Sequence, residues 1–513
     1  MSSHPFNEEH QLFIRMITLT LTQASLKENL LLVKEAKDSI RLVELRGDFL
    51  DPSFIVSDVV LNELSVFVDE LHALNLEVIF TLRQDFDRGH FKGSPSEALL
   101  WYTAAVQAGF DYIDIDEQLF SSKPFLPMLK NWRNCNGVQI VVSRHDFEKI
   151  PDDFLDWLKA IDQKGFIPKI AVAIKSPKEL VLFYQLCLKA SAIKKVVVGM
   201  GALALITRIL TKHFGSLWSY TSFSKETAKL GHISPIELDK IYRYYEITKE
   251  WEIYGIIGNP VMNSKSPQIQ NEFFKTNNLS KIYIPFQTED FYGFQEVIKA
   301  FKIKGLSVTV PFKEEAAKIA TVSENSIASI KAANTLLFHE DQIYAYNSDV
   351  EGFSSPLLAL LKKKQFQVCG CRVALIGAGG ASRAIIYALK GLGANLFLFN
   401  RSYEKAVSMV NEFCYGKAYP LTHLCEFDYF DIVINSSTAG MGELAYLDPS
   451  SGYEFKGNEI VYDIVYYPAN TKLLLRAKEA GCSTIGGIKM LEAQALRQSK
   501  LFGYGVELKE ERT

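Results

Sequence analysis

The sequence predicts an α/β protein in two unlike parts: a closed (β/α)8 barrel, then a two-domain α/β region ending in an open, doubly wound sheet. Three observations predict it. The 513 residues are too many for one ordinary core. Over the first ~240 residues, short apolar runs alternate with helical periods about eight times. Much later, Val373–Ala384 runs from an apolar strand into a glycine-rich turn and opens a helix.

The first part reads as strands Met16–Leu21, Ile40–Leu45, Glu77–Leu82, Tyr112–Asp116, Val138–Ser143, Lys169–Ile174, Lys195–Gly199 and Leu217–Thr221. Helices such as Pro95–Ala108 and Pro177–Ala190 separate them. A doubly wound sheet is the alternative. Glu44, Arg46, Arg83, Asp114, Asp116 and His145 all fall at or near the C-terminal ends of strands. That is the face on which a TIM barrel builds its active site, and it favours the barrel.

A charged helical connector over 234–251 leads to a new strand start at Ile253, and βα patterning continues to about Ser348. The residues from Gly486 onward read as a helix packing back on that region. The expected domains are 1–240, 252–349 completed by 486–513, and 350–485.

Hydrophobic residues at 48% and charged residues at 22% describe a water-soluble globular chain. A net charge of -3 offers no global attraction to nucleic acid or anionic membrane. No apolar run approaches the ~20 residues of a membrane span. The first residues show neither an Arg-rich leader nor a signal core, so a cytoplasmic location is expected. Seven scattered cysteines, with Cys369 and Cys371 spaced wrongly for a redox pair or zinc knuckle, read as reduced thiols. The nine histidines make no HxxxH-like cluster, and no metal site is expected.

The turn Gly377-Ala378-Gly379-Gly380-Ala381 has the form that lays a pyrophosphate on a helix N-terminus. The next strand, Asn395–Ser402, ends not in the acid that suits a ribose hydroxyl but in Asn400-Arg401, with Lys405 four residues on. A guanidinium there suits a 2′-phosphate, so the expected cofactor is NADP(H) on a Rossmann domain. Hydride transfer follows.

Ahead of that unit, Ser264, Ser266, Thr309, Asn334 and Asp349 lie in polar segments on otherwise apolar βα edges. Fixed hydroxyls and amides suit a polyhydroxylated substrate. Lys313 and Asp349 form a candidate proton-donating pair for a ketone becoming an alcohol. These segments carry a resemblance to shikimate dehydrogenase. They are Ser264-Lys-Ser266-Pro267, Ser307–Lys313, Ala332–Thr335, Asn347–Phe353, Gly377–Ala384, Asn435–Met441, Asp463–Thr471 and Gly487–Ala495. The resemblance implies that Lys313 and Asp349 are catalytic. It implies that Ser264, Ser266, Thr309, Asn334, Asp349 and Gln494 hold substrate, that Tyr466 lines the cleft, and that Gly487 borders the cofactor. Departures are Ser307 for Asn, Ser348 for Thr, Gln270 for His, and the order Ser437-Thr438.

In the barrel, Lys169 lies among apolar neighbours in Ile167–Ile174. An inward-pointing lysine there is expected to have its pKa lowered by burial, freeing the amine for Schiff-base chemistry, and a strand-start lysine reaching out to solvent is the alternative. His145 is a candidate proton shuttle or, blandly, a loop cap. Glu44-Leu-Arg-Gly-Asp48, Thr81-Leu-Arg83, Ser143–Phe147, Pro168–Ala171 and Met200–Arg208 together resemble type I 3-dehydroquinate dehydratase. The resemblance implies that Lys169 forms the imine, His145 moves protons, and Arg208 pairs with the substrate carboxylate. Glu44, Arg46 and Arg83 would then fix ring hydroxyls and ketone. Asp87 stands in place of Glu, and Ala228 and His232 in place of the lid serine and glutamine. Ala204 and Thr207 are further substitutions.

The two resemblances describe consecutive reactions: 3-dehydroquinate to 3-dehydroshikimate, then to shikimate with NADPH. The expectation is a bifunctional enzyme of the shikimate pathway acting on small-molecule substrates. A quinate dehydrogenase with an inactive barrel and a non-enzymatic metabolite sensor are the rival readings. Retention of Lys169, His145, Lys313 and Asp349 weighs against the sensor.

Overall fold

A computed structural model describes residues 16–52, 56–224 and 233–505. They fall into two compact units. The first runs to Trp251 and takes in Phe286–Lys302, while the second holds Glu252–Pro285 and the described residues from Ile303 on.

In the first unit, eight strands form one parallel sheet. They are β1 (Met16–Leu21), β2 (Leu42–Arg46), β3 (Glu77–Thr81), β4 (Tyr112–Asp116), β5 (Gln139–Asp146), β6 (Ile167–Ala173), β7 (Val196–Met200) and β8 (Trp218–Thr221). Their order is β7-β6-β5-β4-β3-β2-β1-β8, and a parallel bridge between Lys195 and Ser216 joins the two ends. That closes the barrel. Leu42, Ile79, Val141, Val196, Val198, Trp218 and Tyr220 pack in one cluster that includes Ala171. Helices start where serines satisfy their first N–H groups. Ser94 and Glu97 form a capping box ahead of helix Pro95–Gln107, and Ser176 caps helix Pro177–Lys189.

Two expectations shift. β5 runs on to Asp146, so His145 stands within a strand and not at a loop start. Its register partner is Ala171, two residues beyond Lys169 on β6. The connector is not one helix. It has a single short helix, Pro235–Lys240, and then turns, with Arg243 left-handed at φ 52 and Tyr242 and Tyr244 buried. Burial of those tyrosines overrides the helical charge pattern.

The second unit holds two sheets. One contains β9 (Glu252–Gly258), β10 (Lys281–Gln287), β11 (Gly305–Val308), β12 (Val322–Ser323), β13 (Thr335–His339) and β14 (Gln342–Tyr346), in the order β10-β9-β11-β13-β14-β12. β13 runs antiparallel to both neighbours. The other contains β15 (Arg372–Ile376), β16 (Asn395–Asn400), β17 (Lys417–Pro420), β18 (Ile432–Asn435), β19 (Ile460–Asp463) and β20 (Ser483–Gly486). It is wholly parallel, in the order β17-β16-β15-β18-β19-β20, which is the Rossmann order. Helix Gly487–Tyr504 packs on helices Asp349–Lys364 and Ser266–Thr276. A Cβ on Gly352 would sit 2.8 Å from Gln494 Cβ, so glycine permits the close approach that brings Gln494 beside the Asp349 helix. Among the described residues no helix is long and apolar enough to cross a membrane.

Candidate active sites

The first site is a cavity of about 230 Å³ lined from most of the barrel strands or the loops after them, including Thr20, Glu44, Arg83, His145, Lys169 and Tyr220. Arg46 and Arg208 border it too. A larger cavity of about 720 Å³ opens at the other end, on strand-start residues such as Met16, Glu77, Tyr112, Gln139 and Trp218. It holds none of the predicted groups, which line the smaller cavity instead.

Lys169 is 4% exposed and faces charge, not apolar surface. Its Nζ donates to Asp114 Oδ2 at 2.6 Å and Glu44 Oε1 at 3.4 Å, and lies 4.0 Å from the centre of the Tyr220 ring. The expected fall in its pKa is therefore corrected. Burial pulls it down, but Asp114, Tyr220 and Glu44 together outweigh burial and raise it, so the resting group is an ammonium. Sequence neighbours told only what flanks Lys169 along β6, whereas the carboxylates arrive from β2 and β4.

Thr81 and Thr20 each donate to Glu44 at 2.9 Å. Lys169 keeps the Glu44 carboxyl below its usual range despite burial. Arg83 donates to Asp114 at 2.8 Å and also to Ser143. Asp114 was legible only as one of the polar strand ends; its part in gripping both Lys169 and Arg83 was not foreseen. Arg46 makes a bidentate pair with Asp48, at 2.8 and 2.7 Å.

His145 Nδ1 lies 3.0 Å from Asp87 Oδ2. Burial and Arg83 lower the imidazole pKa more than Asp87 raises it, leaving a neutral base at pH 7. The Asp87 departure thus still sets a carboxylate against the histidine. Arg208 is 2% exposed and donates to the Gly199 carbonyl at 2.8 Å, while its Nε has no partner. Burial alone pulls the group down to about 10, with no carboxylate offsetting it. A buried guanidinium lacking an anion fits a carboxylate ligand. Ala228 and His232 lie outside the described residues.

The second site centres on Lys313 and Asp349, paired at 2.5 Å. Lys313 begins helix Lys313–Ile319, and Asp349 begins helix Asp349–Lys364. Asn334 donates to Asp349 Oδ1 at 2.8 Å and to Ser348 Oγ at 3.0 Å, so the substituted serine keeps a hydroxyl function. The Ser266 N–H donates to Ser264 Oγ at 3.2 Å. Thr309 sits against Gly258, where a Cβ would meet its methyl at 2.4 Å. Tyr466 follows β19, half-buried.

Gln498 was not foreseen. It is 5% exposed, accepts from Ser307 Oγ at 2.9 Å, and donates to the Asn334 carbonyl at 3.1 Å and Thr335 Oγ1 at 2.8 Å. The Ser307 departure therefore feeds a buried network that ends on the partner of Asp349. Gln270 is likewise buried, between Ala495 and Ser499.

The residues of the glycine turn fit a dinucleotide. Gly377 has φ 107, and a Cβ there would strike the Ser436–Ser437 backbone at about 3 Å. Around Gly379 a Cβ would meet nothing within 4 Å, and at Gly380 only Lys313 Cδ at 3.9 Å. This is an open cradle at the start of helix Gly380–Gly391, beside Lys313, with the first-turn donors of Gly380 and Ala381 facing no intrahelical acceptor. Ala378 sits within the turn. Arg401 and Lys405 are exposed after β16 and have no carboxylate partner among the described residues, while Asn400 donates to the Ser402 carbonyl at 2.8 Å. Gly487 packs so tightly on Ile464 that a Cβ would fall 2.2 Å from its carbonyl oxygen.

The family model for type I 3-dehydroquinase matches residues 17–249. That for the shikimate dehydrogenase substrate binding domain matches 256–336, and that for shikimate/quinate 5-dehydrogenase matches 359–444. The chain is 29% identical over 478 residues to the bifunctional 3-dehydroquinate dehydratase/shikimate dehydrogenase, chloroplastic, of Arabidopsis thaliana, covering 90% of this chain and 77% of that protein. It is 35% identical over 264 residues to the NADP(+) shikimate dehydrogenase of Aquifex aeolicus, covering 50% and 93%. It is 32% identical over 305 residues to the shikimate biosynthesis protein AroDE of Chlamydia pneumoniae, covering 59% and 61%.

Proposed function

We propose, for a chain that belongs to the shikimate dehydrogenase family and carries a type I 3-dehydroquinase domain ahead of it, that the two sites run consecutive steps. The chain is a bifunctional enzyme of the shikimate pathway. It dehydrates 3-dehydroquinate to 3-dehydroshikimate and reduces that product to shikimate with NADPH. The observation that carries this reading is the presence in one chain of two unlike amine sites whose reactions share an intermediate.

In the barrel, Lys169 attacks the substrate ketone and water leaves, giving an iminium. The ammonium must first shed a proton, and neutral His145 is the base that takes it. Glu44 and Asp114 then stabilise the iminium that replaces the ammonium, so positive charge at that nitrogen is conserved. The iminium makes the adjacent C–H acidic. His145 removes that proton and delivers one to the departing β-hydroxyl. Water leaves, and hydrolysis of the conjugated iminium frees Lys169. Arg208 holds the carboxylate, while Arg46 and Arg83 hold ring oxygens.

In the second unit, NADPH supplies the hydride when bound at the glycine turn, with Arg401 and Lys405 suited to its 2′-phosphate and Gly487 beside it. Lys313 delivers the proton to the nascent alkoxide, and Asp349 orients the ammonium and accepts from a substrate hydroxyl. Ser264, Ser266, Thr309, Asn334, Tyr466 and Gln494 complete the binding site. The divisions 1–240, 252–349 with 486–513, and 350–485 are proposed as the functional domains. A cytoplasmic setting is proposed too, supported by the free state of the described cysteines.

The test is an assay of the purified chain with 3-dehydroquinate, with and without NADPH. Enone absorbance without NADPH, then NADPH consumption and shikimate with it, is the expected result. Reduction of 3-dehydroshikimate without any enone from dehydroquinate would show an inactive barrel. Oxidation of quinate in preference to shikimate, or silence on every substrate, would overturn the assignment.

A further inference from the structure

We infer that Arg88 is a further substrate-capturing residue of the dehydratase site, recognising an anionic polyol at the mouth of the pocket. The inference rests on the reading of the barrel cavity as that site. Arg88 lines the cavity yet is exposed, which places it at the opening. Its guanidinium lies 3.9 Å from the centre of the Phe147 ring. That ring lies almost parallel to the His145 imidazole, 6.1 Å away at 15°. The guanidinium, the ring and the imidazole thus follow one another inward from the mouth.

The backbone holds Arg88 there. It ends the short 3-10 turn Asp85–Asp87 in the left-handed conformation, φ 55 and ψ 28. Arg88 N–H donates to the Asp85 carbonyl at 3.1 Å, and Gly89 N–H to the Gln84 carbonyl at 2.9 Å. On the far side, Phe91 N–H donates to the Arg83 carbonyl at 3.1 Å. The same turn aims Asp87 inward at His145 and Arg88 outward onto Phe147.

Charge accounting separates Arg88 from its neighbours. Arg46 has a carboxylate partner in Asp48, Arg83 in Asp114 and Asp87, and Lys169 in Asp114 and Glu44. Two guanidiniums of the lining have no carboxylate partner among the described residues: Arg208 in the interior and Arg88 at the rim. Glu148 is near enough to feel Arg88, but its carboxylate is paired with Lys175 at 2.9 Å. A guanidinium resting on an aromatic face keeps its edge N–H groups free for oxygen acceptors. Arg88 therefore draws the carboxylate in and donates across the opening, and Arg208 holds the anion once it has entered. Capture of this kind acts on kcat/KM and weakens with salt.

Arg88→Gly is the discriminating change, because glycine adopts φ 55 without strain and leaves the turn intact. KM for 3-dehydroquinate is expected to rise about five- to tenfold at low ionic strength, with kcat within about twofold. The fall of kcat/KM with added NaCl should flatten. Arg88→Lys should retain most of the salt dependence and recover part of the KM. Reduction of 3-dehydroshikimate by the same preparation is the internal control and should not move. R88G protein with wild-type KM and salt slope would overturn the role, as would a loss confined to kcat, which would make the turn a positioning device for Asp87. A wild-type chain that forms no enone from dehydroquinate would overturn the dehydratase reading beneath it.

Discussion

Lys169 and Lys313 are the proposed working amines of the two sites, and their settings differ in a way that matches the proposed tasks. Lys169 is almost fully buried and gripped by two carboxylates, at 2.6 and 3.4 Å. Lys313 has 18% of its side chain exposed and one carboxylate partner, at 2.5 Å. An amine that becomes part of a covalent cation needs fixed negative charge beside it to stabilise that cation, and burial strengthens that interaction. An amine that only passes a proton must be recharged after each turnover, which requires contact with solvent.

The sharpest way to break the contrast is Lys169→Ala. Dehydration should fall by at least about 10⁴-fold while reduction is spared, because no other group in the cavity can form the imine. Borohydride with dehydroquinate should trap an adduct on the wild type and none on the variant, read by mass spectrometry. Lys313→Ala should do the reverse more mildly, lowering kcat for reduction about 10²- to 10⁴-fold. Loss of both activities in either variant, with the circular dichroism unchanged, would mean the sites are not independent.

Asp87→Asn probes the proton shuttle. The Asp87 carboxylate raises the pKa of His145, so its removal lets that pKa fall further. His145 must be neutral to act as base, so the acid limb of the dehydration profile should move to lower pH. The plateau should drop about tenfold to a hundredfold from lost orientation. A limb that stays in place would mean another group sets it. The smallest effect belongs to the second site. Gln498→Ala should lower kcat for reduction about threefold and cost about 1–3 kcal/mol, since Ser307 and Thr335 lose a buried partner. Denaturant melting and both assays on one preparation would show whether the dehydratase is untouched.

Much of this molecule is legible in its residues because the groups that carry it are local. β1 and β4 are bounded as their apolar runs predict, and Ser94 with Glu97 announces its helix. Gly377–Ala381 has the form of a phosphate turn in five residues, and the structure puts that turn at the start of a helix. Each is a short-range rule of period, cap or steric freedom, and such rules need no knowledge of distant neighbours.

Tertiary structure decided the electrostatics. The apolar flanks of Lys169 predict a lowered pKa, but flanks report only the neighbours along one strand. Closing the barrel sets β2, β4 and β6 around a shared interior, and the carboxylates of Glu44 and Asp114, 125 and 55 residues away, reverse the sign together with Tyr220. The partnership of Gln498 with Ser307, 191 residues apart, is equally invisible along the chain. Coulomb and hydrogen-bond energies depend on separation in space, and only the folded chain sets that separation. Residue types and strand ends thus determined which chemistry is available here, and packing determined the charge each group carries while performing it.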